Sequence, residues 1–437
     1  MTAEQEFDQG RLGPFHYRLL TVAGLGTLFD SMDVGIVSFV MAALISAWRL
    51  DPFWIGIVGS INLVGMAIGA ALAGSLADRM GRRQIFLLTL LIYSVATGLS
   101  GLSIALWMLL LCRFVVGLGL GGELPVTTTM VTEFLPQRDR GRGIVLLESF
   151  WAVGWLVASL VAFLVIPLWG WRAAFLLGTL PALYVLYLRR GIPESPRFLM
   201  RTGHPQEARR IMSMVQGREV AATEIAGPTR VTRPRLTALF RPPFRQRTAM
   251  LWALWLGMNF AYYGMFLWLP SVLVDRGFSL VNSFGYTLIV TAAELPGYLS
   301  AAWLIDRFGR KPVLVTYVAL TALFAALFGH ATGVAAVLWF GCLLAFFNLG
   351  AWGTTYAYTA EQYPTLLRGT GSGWAMGVGR IGGIVGPTIV GTLLASHLQV
   401  AGVFWIFTAV LIAVALVVAV LGKETRQRAM ADIEIGS

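Results

Sequence analysis

Long apolar runs separated by short polar links dominate the chain. A helix rising about 1.5 Å per residue needs about 20 apolar residues to cross a hydrocarbon core about 30 Å thick. Twelve runs meet that length. The first six are read as spans over 18–46, 53–78, 83–104, 106–134, 142–167 and 170–189. The second six cover 248–274, 283–305, 311–331, 333–362, 368–395 and 400–421. Between the two sets the sequence turns polar, arginine-rich and proline-containing, and includes PESPRFLMRTGHPQEARRIM. The predicted organisation is a cytoplasmic tail over 1–16, a six-helix bundle over 17–189 and a cytoplasmic linker over 190–247. A second bundle over 248–422 and a cytoplasmic tail over 423–437 complete it. Within the linker, Pro205 to Met214 is expected to form a short amphipathic surface helix.

One polar link occurs twice. GSLADRMGRR, from Gly74, returns as AWLIDRFGRK, from Ala302, so Asp78, Arg79, Gly81 and Arg82 match Asp306, Arg307, Gly309 and Arg310 at an offset of 228. EFLPQRDRGRG, from Glu133, returns as EQYPTLLRGTG, from Glu361, at the same offset. Two matches in one register identify a duplicated unit. Each short basic turn suits a tight cytoplasmic link between neighbouring membrane helices.

These residues resemble the major facilitator superfamily, whose signature G-x-x-x-D-R-x-G-R-R/K lies between helices 2 and 3 and recurs between helices 8 and 9. The resemblance implies an all-α membrane fold of twelve transmembrane helices in two pseudo-symmetric six-helix bundles. It also implies inter-helix salt-bridge networks at the cytoplasmic helix ends, which hold the outward-facing state and break on inward opening. The residues concerned are Asp78, Arg79, Arg82, Glu133, Arg140 and Arg142 in the first copy, and Asp306, Arg307, Arg310, Glu361 and Arg368 in the second. The alternative is that they set topology alone.

Composition agrees with a membrane protein, with 57% hydrophobic and 13% charged residues, where a soluble domain carries about a quarter charged. The net charge of +11 comes from Lys and Arg gathered in alternate links and in the linker. This positive-inside bias puts both termini in the cytoplasm and leaves nucleic-acid binding unnecessary. Cys112 and Cys342 fall within apolar runs and suggest no disulfide framework. The first 16 residues show no cleavable signal pattern. Short outward links without glycosylation acceptors favour a bacterial inner membrane. No metal site, cofactor motif or catalytic residue is expected, and a monomer is. No phosphate-binding loop or hydrolase motif appears, which leaves a secondary transporter.

Charges inside the spans each need a reason, because insertion at mid-bilayer costs roughly 2.5–3.5 kcal/mol. Asp30 and Asp33 share a face of span 1, and Arg113 falls at a matching counted depth in span 4. A pair that separates and re-forms during transport would take up and release a proton. The alternative is a permanent structural ion pair. Proton-coupled sugar porters and aromatic acid:proton symporters of the superfamily carry the same Asp and Arg, so the resemblance implies a coupling role. Arg380 in span 11 and Glu294 in span 8 lie near the midplane by count, where substrates bind in this architecture. Arg380 would grip a carboxylate bidentately, or be neutralised by Glu294. Asn259 and Tyr263, Asn348, Trp352 and Tyr356, and Trp151 and Trp155 recur at helical spacing in their spans. They would line a flat aromatic cavity, or serve packing and the interface. Glu123 and Glu148 receive no role.

PESPRFL resembles the P-E-S-P-R-x-L of sugar porters and their organic-ion relatives, but MNFAYYGMFLWLP lacks the Q-Q-x-S-G run of sugar recognition. FDSMDVGIVSF and GRIGGIVGP resemble the branch holding aromatic acid:proton symporters, niacin transporters and synaptic vesicle glycoprotein 2-like proteins. The expected function is proton-coupled uptake of a small aromatic monocarboxylate, nicotinate foremost, with protons and the lipid bilayer as the other partners. A sugar or organic-cation porter and a non-transporting membrane sensor are the alternatives.

Overall fold

The structure, a computed structural model, describes residues 12–136, 139–180, 193–217, 236–242 and 244–425. Side chains of Asp78, Arg140, Arg142 and Glu148 lie outside the described set, so the expectations placed on them go no further here. Among the described residues the regular structure is helical: α1 Pro14–Ala47, α2 Pro52–Met80, α3 Arg82–Gly101, α4 Leu106–Phe134 and α5 Arg140–Leu177. The linker contributes α6 Pro196–Arg201, α7 Pro205–Gln216 and a 3₁₀ turn at Leu236–Phe240. Then come α8 Phe244–Phe266, α9 Leu269–Asp275, α10 Leu280–Ala292, α11 Glu294–Phe308 and α12 Arg310–Gly329. The chain closes with α13 Gly333–Glu361, α14 Thr365–Ala395 and α15 Val400–Leu421. Ten stretches among the described residues are long and apolar enough to cross a membrane.

The departures from twelve even spans have local causes. Spans 5 and 6 run together as α5, bent at Gly170, whose φ of 78° is open to glycine without strain. The later part of span 6 falls outside the described residues. Span 7 divides after Phe266 and span 8 after Ala292. Each break lies four residues before a proline, Pro270 and Pro296, where the ring meets the carbonyl and removes a hydrogen bond. The carbonyl freed at Phe266 accepts a hydrogen bond from the Ser38 hydroxyl at 2.9 Å. The first helix begins at Pro14, inside the expected tail. In the linker, α7 matches the expected amphipathic helix and buries Ala208, Ile211 and Met212.

Two compact units emerge, and they do not follow the two sequence halves. The first comprises 1–34, 61–158 and 172–231, the second 35–60, 159–171 and 232–437. In the first unit α2 and α4 touch backbone to backbone. A methyl group on Gly65 would overlap the Phe114 carbonyl, one on Gly117 the Asn62 carbonyl, and one on Gly121 the Met66 carbonyl. Small residues at such crossings replace the hydrophobic drive that lipid removes. In the second unit Gly297 of α11 packs on the Phe346 backbone of α13 in the same way. Gly69 and Gly122 match Gly297 and Gly350 at the offset of 228, so the repeat extends from the links into the helix contacts. Residues 35–60 pack on α8 and α14 within the second unit. There the Ser60 hydroxyl donates to the Ile384 carbonyl at 2.7 Å, and Gly56 lies against Pro387 and Gly391.

Gly117→Leu is expected to destabilise the purified protein by about 1–3 kcal/mol through overpacking, read as a lowered melting temperature in detergent. Gly74→Ala, at a position with open space beside it, serves as the control and is expected to leave stability unchanged. Equal melting temperatures for the two variants would mean that α2 and α4 do not meet as described.

Candidate functional site

The first unit buries a complete ion pair. Arg113 of α4 is 0% exposed and donates through Nη1 to Asp33 Oδ2 of α1 at 3.0 Å. Its remaining donors reach α3, with Nε and Nη2 to Ser100 Oγ at 3.1 and 3.0 Å and Nη2 to Thr97 Oγ1 at 3.1 Å. Thr97 in turn donates to Asp33 Oδ1 at 2.6 Å. Phe175 covers the guanidinium plane at 4.4 Å. Two opposite charges in an apolar interior persist only when such hydrogen bonds also satisfy their remaining donors and acceptors. Asp30 lies one turn earlier on α1, buried, and its neighbours are Glu123 and Tyr93 rather than Arg113. Trp151 and Trp155 sit in α5 within this unit, where the Trp151 carbonyl accepts a hydrogen bond from Ser31. Trp155 is fully buried.

The second unit gathers aromatic rings from α8 and α13. Trp255 packs edge-on against Trp352 at 5.5 Å and Tyr356 at 5.1 Å, Trp352 lies 5.9 Å from Tyr356, and Tyr262 meets Trp352 at 5.7 Å. Tyr263 continues the set beside Tyr262 at 5.3 Å. Trp255 is held in place by a 2.9 Å hydrogen bond from its indole to Thr359. The glycines of α14 let that helix press against α8. A methyl on Gly379 would meet Asn259 and Trp255, and one on Gly383 would meet Tyr263. Arg380 follows Gly379 near the middle of α14 and is half-buried.

Arg380 and Glu294 do not form the alternative ion pair. Glu294 is 1% exposed with neither oxygen in a hydrogen bond, and Arg380 has no carboxylate partner among the described residues. Asn348 is fully buried with both amide atoms unpartnered, and the Trp352 indole N–H is likewise unpartnered. Asn259 spends one amide hydrogen on the Trp255 carbonyl at 2.8 Å. Trp255 stands one turn before Asn259 on the same face of α8, so the i, i+4 spacing that grouped Asn259 with Tyr263 already held the signal for it, whereas Tyr262 lies off that face and escapes a reading by spacing.

At the repeated links, Arg82 pairs with Glu133 at 3.4 Å and donates to the Ala77 carbonyl. Arg310 pairs with Glu361 at 3.1 Å, approaches Asp306 at 3.5 Å and donates to the Ile305 carbonyl. The link glycines have φ of 102° at Gly81 and 101° at Gly309. Each also makes room for a carboxylate absent from the sequence expectations. Glu194 accepts hydrogen bonds from the backbone N–H groups of Arg82 and Arg83, and Glu424 from those of Arg310 and Lys311. An acidic side chain at a helix N-terminus satisfies free N–H groups and favours the dipole. The PESPR motif held the signal for Glu194, while Glu424 followed the last span with none. Arg79 is exposed, and Arg307 stacks on Trp303 and Phe308 at 5.3 and 5.9 Å. Neither pairs with a carboxylate among the described residues. Arg368 sits half-buried in the first turn of α14.

The family model described as sugar (and other) transporter matches residues 32–436. The chain belongs to that family. The niacin transporter NiaP of Acinetobacter baylyi is 48% identical, over 97% of this chain and 97% of its own length. The putative niacin/nicotinamide transporter NiaP of Bacillus subtilis is 49% identical over 96% and 99%. In fold, the chain matches the inward-open xylose transporter XylE of E. coli with a TM-score of 0.75 at 21% identity. That match covers 96% of this chain and 99% of the other. The protein is therefore a multi-pass membrane transporter and not an enzyme. Its fold is the twelve-helix, two-bundle architecture of the major facilitator superfamily.

Arg113→Met is expected to cost about 3–5 kcal/mol by leaving Asp33 buried and unpaired, and Asp33→Asn in the same chain is expected to recover part of the loss. A thermal melt of the single and double variants checks this, and equal melts would remove the pair as a structural element. At Glu194, burial raises the carboxyl above its usual value, against the N–H groups of Ser195, Arg83 and Arg82 that lower it. A folded-state value above the unfolded one means a contribution present at acidic pH and lost as pH rises through the folded value. Between mildly acidic and neutral pH, the native protein is expected to lose more melting temperature than Glu194→Gln. Parallel pH profiles would contradict the burial assigned to this carboxyl.

Proposed function

We propose that this transporter takes up nicotinate, or a closely similar aromatic monocarboxylate, by alternating access coupled to protons. The observation that carries the reading is Arg380, a half-buried guanidinium midway along a membrane helix with no carboxylate partner among the described residues. A cation at that depth favours an anionic guest, and guanidinium matches a carboxylate with two parallel hydrogen bonds. The rings of Trp255, Trp352, Tyr356, Tyr262 and Tyr263 offer faces and edges to a flat heteroaromatic ring. The unpartnered Trp352 indole and Asn348 amide supply donors for a pyridine nitrogen. A buried site left with such groups unpaired discriminates against a ring that lacks the acceptor. The likeness to two NiaP proteins supports the same substrate.

Proton coupling belongs to Asp33, Arg113 and Asp30 in this reading. Protonation of Asp33 would release Arg113, and deprotonation would restore the pair. Glu133 with Arg82, and Glu361 with Arg310 and Asp306, are the contacts that gate. The protein would work as a monomer in a bacterial inner membrane with both termini in the cytoplasm. A second reading has one observation in its favour. Glu294, buried without a partner, suits a protonated or neutral pyridine better than an acid, and one relative is named for niacin and nicotinamide together.

Uptake of radiolabelled nicotinate into proteoliposomes tests both readings. Native protein is expected to show saturable uptake stimulated by an inward proton gradient, with stimulation lost in Asp33→Asn. Arg380→Ala is expected to weaken nicotinate by about thirtyfold or more, from the roughly 2–5 kcal/mol lost when one partner of a buried charge pair is removed. Nicotinamide competing as well as nicotinate, with Glu294→Gln more harmful than Arg380→Ala, would replace the carboxylate reading with the second. No nicotinate uptake by protein that moves another solute would end both.

A further inference from the structure

Next to the neutral Asp33–Arg113 pair lies a cluster that is not neutral. Glu123 of α4 reaches across to α1, where its carboxylate fills the space left by Gly26, and a methyl there would overlap Glu123 Oε1. One turn along α1 is Asp30, whose carboxyl group lies side by side with that of Glu123. Both are buried, Glu123 at 1% and Asp30 at 2% exposure. Neither Glu123 oxygen, nor Asp30 Oδ1, meets an N–H or O–H donor among the described residues. Tyr93 of α3, fully buried, turns its hydroxyl toward Asp30 without closing a hydrogen bond. The other charged groups near the cluster are Asp33, one turn on, and Arg113, whose donors go to Asp33, Thr97 and Ser100.

Two adjacent carboxylates in an apolar interior, with three of their four oxygens meeting no donor among the described residues, repel each other and lose hydration together. A proton shared between their facing oxygens removes one charge and supplies the missing hydrogen bond. The two acids then titrate as a pair rather than singly. A metal ion is a poor occupant, since hard cations take six or more oxygen ligands and the cluster offers two carboxyl groups and a phenol. We infer that Asp30 and Glu123 form a proton-holding carboxyl pair, a site separate from the Asp33–Arg113 ion pair and one helical turn away from it.

The arrangement puts two proton acceptors in series along α1. Thr97 and Tyr93 stand a turn apart on α3 beside Asp33 and Asp30 respectively, so α3 supports both. The pair loads one proton as water leaves the cluster and gives it back to water when the cluster opens. Its part in transport rests on the proton-coupled reading above, but the presence of the bound proton does not.

Infrared spectroscopy of the purified full-length protein in detergent reads that proton directly, from the carbonyl stretch of a protonated carboxyl group. The expected result is a carboxylic-acid band at neutral pH in the spectrum of native protein minus Asp30→Asn/Glu123→Gln. The band bleaches at alkaline pH, and the same difference survives in an Asp33→Asn background. Each single substitution shifts its titration. Subtraction removes any contribution from Glu294. A difference spectrum without that band overturns the pair, as does one in which sodium replaces the proton at fixed pH. In proteoliposomes, Glu123→Gln is expected to accumulate nicotinate only to the level reached without a gradient. If native protein carries no nicotinate while the band is present, the substrate reading fails and the pair stands. If native protein accumulates nicotinate and Glu123→Gln matches it with no band lost, the pair fails and the substrate reading stands.

Discussion

A charge placed among apolar helices needs its compensation from another helix, and this requirement organises the first unit. Asp33 of α1 and Arg113 of α4 close on each other with Thr97 and Ser100 of α3 completing their hydrogen bonds. Three helices are thereby held in one register by a single fully satisfied network. Backbone contact between α2 and α4 at Gly65, Gly117 and Gly121 keeps α4 close enough for Arg113 to be sealed off under Phe175. Sealing strengthens the pair, because the attraction grows as the surrounding dielectric falls.

The duplication preserves the scaffold and abandons the charges. Links, helix-end arginines, positive-φ glycines and the Gly69–Gly122 and Gly297–Gly350 contacts recur at the 228-residue offset. Asp33 and Arg113 correspond to Ala261 and Gly341, Asp30 and Glu123 to Met258 and Ala351, and Arg380 to Ala152. Within the spans, the ion pair of Asp33 and Arg113 therefore belongs to the first copy, and the guanidinium of Arg380, without a carboxylate partner among the described residues, to the second. Such divergence suits a division of labour, with proton chemistry in one copy and anion recognition in the other.

The links show how a carboxylate outside the recognised motif completes it. The basic turn reads as topology, yet its glycine is required twice over, once for φ near 100° and once to admit Glu194 or Glu424. Those acids arrive from distant parts of the chain and cap the N-termini of α3 and α12. Arg79 and Arg307, equally regular in sequence, point away from these contacts to the surface and to Trp303.

Hydrophobic length and the repeat determined the long apolar helices and the duplicated links from the sequence alone, because crossing a bilayer constrains each segment locally, and the motifs in those links carried the resemblance to the family. Helix counting also brought Asp33 and Arg113 to one depth, since rise per residue is constant in a helix. Rotation about each helix axis is not local, and only the tertiary structure decided it. Packing turned Asp30 toward Glu123 instead of Arg113, left Arg380 apart from Glu294, and joined Tyr262 to the aromatic set. Depth follows from position along one helix, whereas partnership depends on how neighbouring helices face one another.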